Sequence, residues 1–143
     1  VTSAVLDDHL LRDLLSDDVG EALAAVLAEH EPATTNLYYL RLCKSVVSAR
    51  GGRLTGAWPA EHRRALGRTL VELPPAITVL PMRGLSFRMA QLAETHRLST
   101  LGAEAVTAAE HLDAPLVVWE GDDGPHIRAA VSALGGVYRA LPH

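Results

Sequence analysis

The chain contains one cysteine, one lysine and six aromatic residues, and no apolar run approaches the length of a membrane span. Each shortage excludes something. A lone Cys43 closes no internal disulfide and builds no multi-cysteine zinc site, so a reducing, cytoplasmic compartment is expected. Apolar stretches such as residues 114–119 fall far short of the ~20 residues of a spanning helix, and Val1 is followed by no signal-peptide pattern, so no membrane partner is expected. Six scattered aromatics offer no base-stacking platform for single-stranded nucleic acid. The sequence also lacks a glycine-rich phosphate loop, a GxGxxG turn and a GxSxG elbow, and its seven histidines include no HExxH pair. These absences weigh against nucleotide hydrolases, dinucleotide oxidoreductases, serine hydrolases and zinc proteases.

What is present fits one soluble domain spanning residues 1–143. Of these residues 48% are apolar, with 13 basic and 17 acidic side chains. A chain of this length buries roughly two-thirds of its unfolded surface and needs no metal or disulfide to hold a core. The charges are unevenly placed. Residues 1–31 hold eight acids and one arginine, whereas residues 41–68 carry Arg41, Lys44, Arg50, Arg53, Arg63, Arg64 and Arg68 against Glu61 alone. Such a basic zone suits an anionic partner through phosphate contacts and counterion release. It equally fits a solvated helix face.

Residues 3–6 read as a first strand, ending in Asp7 and Asp8. Leu10, Leu11, Leu14 and Leu15 then repeat at helical spacing, and Ser16, Asp17 and Asp18 are expected to cap a second helix striped by Val19, Ala22, Leu23, Val26 and Leu27. Glu31 and Pro32 interrupt. Residues 37–49 are apolar almost all round and predict a buried helix, with Arg41, Lys44 and Ser48 on one face and Tyr38 beginning the same row. Residues 51–59 read as a loop, and Pro59 opens a helix with Leu66, Leu70 and Leu73 inward and Arg63, Arg64 and Arg68 outward. Residues 77–80 suggest a middle strand. Two further helices follow, one marked by Leu85, Met89 and Leu92 and one capped by Ser99. Residues 115–119, apolar throughout, read as a strand buried on both faces of a parallel sheet. A helix from Pro125 and a last strand at 137–141 complete an α/β pattern: three layers, helices on both faces of a central, mostly parallel sheet.

In such a sheet the ligand crevice lies outside the carboxyl ends of the strands, where strand order reverses. Asp7 and Asp8 close the first strand, and Glu120, Asp122 and Asp123 follow the strand at 115–119. If those strands are neighbours their carboxylates converge, and converged carboxylates favour magnesium or manganese. The same aspartates also suit turns and helix starts.

Three stretches carry a resemblance. They are Val5-Leu6-Asp7-Asp8-His9-Leu10-Leu11, Thr34-Thr35-Asn36-Leu37-Tyr38-Tyr39-Leu40-Arg41-Leu42, and the segment from Leu98-Ser99-Thr100-Leu101-Gly102-Ala103-Glu104-Ala105 through Pro115-Leu116-Val117-Val118-Trp119-Glu120. Their order resembles the PIN domain family, and within it the ribonuclease toxins of the virulence-associated protein C type. The resemblance implies a magnesium or manganese site of three or four carboxylates and cleavage of RNA by metal-activated water. Asp7 and Glu120 match its first and last acids, but Arg41 and Gly102 occupy the two acidic positions between them. An eroded site follows, requiring no cofactor, with Arg41 filling the cation's volume and pairing with Asp7 or Glu120. The protein would then be a regulatory or binding module. The alternative is an active magnesium- or manganese-dependent ribonuclease of toxin-antitoxin type, in which Glu104 joins Asp7 and Glu120 in catalysis and Asp122 or Asp123 compensates at the metal. Expected partners are RNA bound through Arg41, Lys44, Arg50, Arg53, Arg63 and Arg64, with Arg68 at the margin, and a second copy or a cognate partner protein held by the apolar helices at 19–27 and 85–92.

Overall fold

The computed structural model describes residues 2–48 and 52–143. Strands β1 (Thr2–Leu6), β2 (His30–Thr34), β3 (Thr78–Val79), β4 (Leu116–Trp119) and β5 (Tyr138–Leu141) form one sheet in the order β3-β2-β1-β4-β5, and every pairing is parallel. The chain starts in the middle at β1, runs outward through β2 to β3, then returns to the other side of β1 for β4 and β5. Strand order therefore reverses between β1 and β4, which pair directly through Val5 with Leu116 and Leu6 with Val117. A crevice at that reversal lies beyond the carboxyl ends of both strands.

Side-chain alternation sends the strands' apolar residues to two cores. Val5 and Leu116 face helices α6 (Ser86–His96), α7 (Thr100–Leu112) and α8 (Pro125–Ala133), meeting Met89, Leu92, Val106 and Val131. Ala4, Leu6, Val117 and Trp119 face the opposite layer, where Leu10 of α1 (Asp8–Leu15) and Leu23 and Val26 of α2 (Gly20–Glu29) complete the packing. A third cluster joins Leu11 of α1 to Leu42 of α3 (Asn36–Val47), Leu54 of α4 (Gly52–Thr55) and Leu66 and Leu70 of α5 (Ala60–Val71). The stripes on α2 and α6 are spent on these cores.

Several elements differ from the sequence reading. Residues 30–34 are strand β2, beside β1, rather than an interruption. Pro32 is tolerated there because it shares the side of the strand from which the Thr34 carbonyl accepts the Leu80 amide, and pairing to β3 begins only at Ala33. Its missing N–H thus faces the stretch with no β3 partner. Residues 16–18 close α1 instead of opening α2. The Ser16 amide donates to the Arg12 carbonyl and the Asp17 amide to the Leu14 carbonyl, Asp17 adopts φ of 57°, and α2 starts without a side-chain cap. β3 is the sheet edge and only two residues long, not a middle strand. The expected loop at 51–59 contains α4, and α3 leaves Leu40 and Val47 exposed although its composition reads as buried.

Candidate functional site

Beyond the ends of β1 and β4 lies a cavity of about 200 Å³. Asp7, Asp8 and His9 enter it from the β1–α1 junction, Tyr38 and Arg41 from α3, Arg53 from α4, and Asp122 and Asp123 from the 3-10 turn Glu120–Asp122 and the residue after it. The local structure fixes each of these. Asp7 is the N-cap of α1, its Oδ1 accepting the Leu10 amide at 2.9 Å, so its side chain is held at the mouth of the sheet. Asp8 follows in the first turn, almost fully buried, with Oδ1 accepting the His9 amide at 3.0 Å. Thr35 caps α3 by accepting the Tyr38 amide, and this sets the row of Tyr38 and Arg41 against the β1 terminus.

Protein cations stand opposite these acids. Arg41 Nη1 lies 3.3 Å from Asp8 Oδ2, a contact close enough for an ion pair but not aligned as a hydrogen bond. Asp122 Oδ1 meets His9 Nε2 at 3.5 Å and Arg53 Nη2 at 3.7 Å. Asp123 is clasped by Arg128 at 2.8 Å and accepts the Tyr138 hydroxyl at 2.8 Å, while that hydroxyl accepts the Gly124 amide. This clasp fixes the loop after β4. Burial raises the Asp7 carboxyl well above its ordinary value, and the Asp8 and Asp122 charges push the same way against the Leu10 amide and Arg12. Burial also holds His9 below its ordinary value of 6.5. The Tyr38 phenol is raised far up by burial and the nearby aspartates, so it remains a hydroxyl.

The residues singled out in the sequence meet different fates. Asp7, Asp122, Asp123, Arg41 and Arg53 share the cavity. Glu120 follows β4 at the same edge of the sheet, but it is exposed and absent from the cavity wall. Glu104 is fully buried elsewhere: its carboxylate accepts the amides of Asn36 at 3.1 Å and Leu37 at 2.8 Å and the Asn36 side-chain amide at 2.9 Å. It caps the start of α3 from α7. Arg41 pairs with Asp8 rather than with Asp7 or Glu120. At Gly102 a Cβ would meet Ile127 Cγ1 at 3.3 Å, so the space for a side chain there is taken by a residue that also lines the cavity.

The basic zone splits likewise. Arg41, Lys44 and Arg53 wall a second cavity, of about 380 Å³, next to the first. Arg63 turns back to donate to the Ser48 carbonyl beyond the end of α3 at 3.0 Å, so it is less outward than expected. Arg64 and Arg68 are exposed on α5, away from both cavities, and Arg50 lies outside the described residues. Sequence reasoning placed Asp8 among the converging carboxylates but not opposite Arg41, and it gave no site role to Tyr38 or Tyr138. The available signal for Tyr38 was its helical spacing to Arg41; Tyr138 had none.

No protein-family model and no curated protein matches the sequence. Solved structures with the same fold include a chain of a toxin-antitoxin complex from Klebsiella pneumoniae, 17% identical, with a TM-score of 0.56 over 85% of this chain and 89% of that one. Another is the crystal structure of PAE2754 from Pyrobaculum aerophilum, 16% identical, with a TM-score of 0.57 over 96% of this chain and 89% of that one. At these identities the likeness is one of fold: a five-stranded parallel sheet between helical layers.

Proposed function

We propose that this chain is a PIN-like domain of the kind found in virulence-associated protein C type toxins, that its metal-dependent ribonuclease site is eroded, and that it acts as a binding or regulatory module in the cytoplasm. The observation carrying this reading is the ion pair of Arg41 with Asp8 at 3.3 Å. A divalent cation would be held by carboxylates whose mutual repulsion it offsets. Here guanidinium groups already offset it, from Arg41 at Asp8 and from Arg53 at Asp122. The donor set fits a dication poorly for one more reason: Glu104 is consumed by the α3 amides. Ile127 fills the volume beside Gly102.

A cognate partner protein belongs to the same reading, supported by the fold shared with a chain from a toxin-antitoxin complex. The second reading, an active magnesium- or manganese-dependent endoribonuclease, draws on the four aspartates, Asp7, Asp8, Asp122 and Asp123, that face one cavity. A cleavage assay separates the two. Purified protein incubated with mixed RNA in magnesium or manganese is expected to yield no more cleavage than Asp7→Asn, a substitution that keeps an acceptor for the Leu10 amide. Metal-dependent cleavage that disappears in Asp7→Asn establishes the enzyme and ends the eroded-site reading.

A further inference from the structure

The second cavity has the opposite electrostatic character from the first. Among the described residues its charged lining consists of Arg41, Lys44 and Arg53, with His9 beside them, and no carboxylate takes part in its wall. Two elements deliver these cations to one point: Arg41 and Lys44 stand three residues apart on one face of α3, and Arg53 comes from α4. α4 is pinned from below, because Arg12 Nη1 donates to the Leu54 carbonyl at 2.8 Å and Leu54 is buried in the third core cluster. Lys44 makes no ion pair among the described residues. The volume of about 380 Å³ lies within the ~300–1,000 Å³ of small-molecule sites.

We propose that this cavity binds a phosphomonoester group, carried by a nucleotide or by the phosphorylated end of an RNA. The inference deepens the eroded-site reading, on which it rests for the role of Arg41. Where an acid would help hold a metal, this chain places a cation whose other side opens on the basic cavity, so the ligand changes sign. A phosphomonoester brings a charge of about −1.5 to −2 and three acceptor oxygens. These match one ammonium and two guanidinium groups, whose planar forks suit phosphate oxygens.

A continuous phosphodiester backbone fits less well. Arg41, Arg53 and His9 line both cavities, so a chain running past them enters the space of Asp7, Asp8 and Asp122 and its next phosphate meets carboxylates. A terminal group stops before that point.

Calorimetry on the full chain in a chelating buffer tests the proposal with four probes. They are adenosine monophosphate, adenosine, and one short oligoribonucleotide carrying either a 5′-phosphate or a 5′-hydroxyl. Binding of the monophosphate but not of adenosine supports a nucleotide ligand, and tighter binding of the phosphorylated RNA than of its hydroxyl counterpart supports an RNA end. Lys44→Ser combined with Arg53→Ser, both at exposed positions, is expected to weaken the phosphorylated probes about tenfold or more. Circular dichroism checks that this variant is folded. The proposal is overturned if no phosphorylated probe binds, if phosphorylated and hydroxyl probes bind equally, or if the folded variant binds as tightly as the parent. Because metal is chelated, a failure here is distinct from metal-dependent cleavage, which would overturn the eroded-site reading.

Discussion

At the scale of single residues, Asp7 combines two roles that conflict electrostatically. As the N-cap of α1 it accepts the Leu10 amide, yet it is buried beside Asp8 and Asp122. Burial is the largest cause of its raised value, so the folded protein holds this proton more tightly than the unfolded chain does. The resulting stability is complete below the ordinary value of 3.8 and is lost as pH rises through the raised folded value. Asp7→Asn is therefore expected to be more stable than the parent at pH 7, and to lose that advantage as pH falls to the ordinary value of 3.8. Urea unfolding at the two pH values measures it; a variant that is less stable at pH 7 would show that the carboxylate is held by an attraction not accounted for here. Asp7 was legible as a residue at the mouth of the sheet because it directly ends the apolar run of β1. Glu104 was not legible as a cap, since its partners at Asn36 and Leu37 lie 68 and 67 residues away and only the packing of α7 against α3 brings them together.

Among elements, the junction of α1, α4 and β4 depends on one arginine. Arg12 meets the buried Asp13 through Nε at 2.8 Å and Nη2 at 3.2 Å, and donates through Nη1 to the Leu54 carbonyl. Asp13 in turn accepts the Trp119 indole N–H of β4 at 2.9 Å. Arg12→Met leaves Asp13 buried with that one neutral donor and frees α4, so unfolding is expected to lose about 3 kcal/mol. Hydrogen exchange should quicken across residues 52–55 more than in β4. Exchange that stays unchanged at 52–55 would mean that α4 is held by Leu54 packing alone. The elements that the sequence hid share a cause: brevity or a breaker residue. β4 is apolar on all its residues and could be read directly, and β3 falls within the strand expected at 77–80, whereas β2 carries Pro32 and α4 has only four residues. The strand character of β2 comes from its place beside β1, which no local pattern announces.

For the whole molecule, the reversal of strand order between β1 and β4 puts an acidic and a basic cavity side by side, with Arg41 in the wall of both. The sequence foretold this neighbourhood correctly in outline, from acids at two strand ends and a basic row on α3, because a parallel sheet directs strand ends to one edge. It misjudged the membership. Side-chain direction after β4 depends on the turn at 120–122, which exposes Glu120 and turns Asp122 and Asp123 inward. On the proposed reading Arg41 takes the place of a divalent cation at this reversal point. The direct measurement is calorimetric titration of manganese into the parent and into Arg41→Glu. The parent is expected to show no saturable binding tighter than about 1 mM, and Arg41→Glu, with an added carboxylate beside Asp8 and Asp122, to bind at least about tenfold more tightly. One manganese bound tightly by the parent, with no gain in Arg41→Glu, would show that Arg41 does not stand in for the cation.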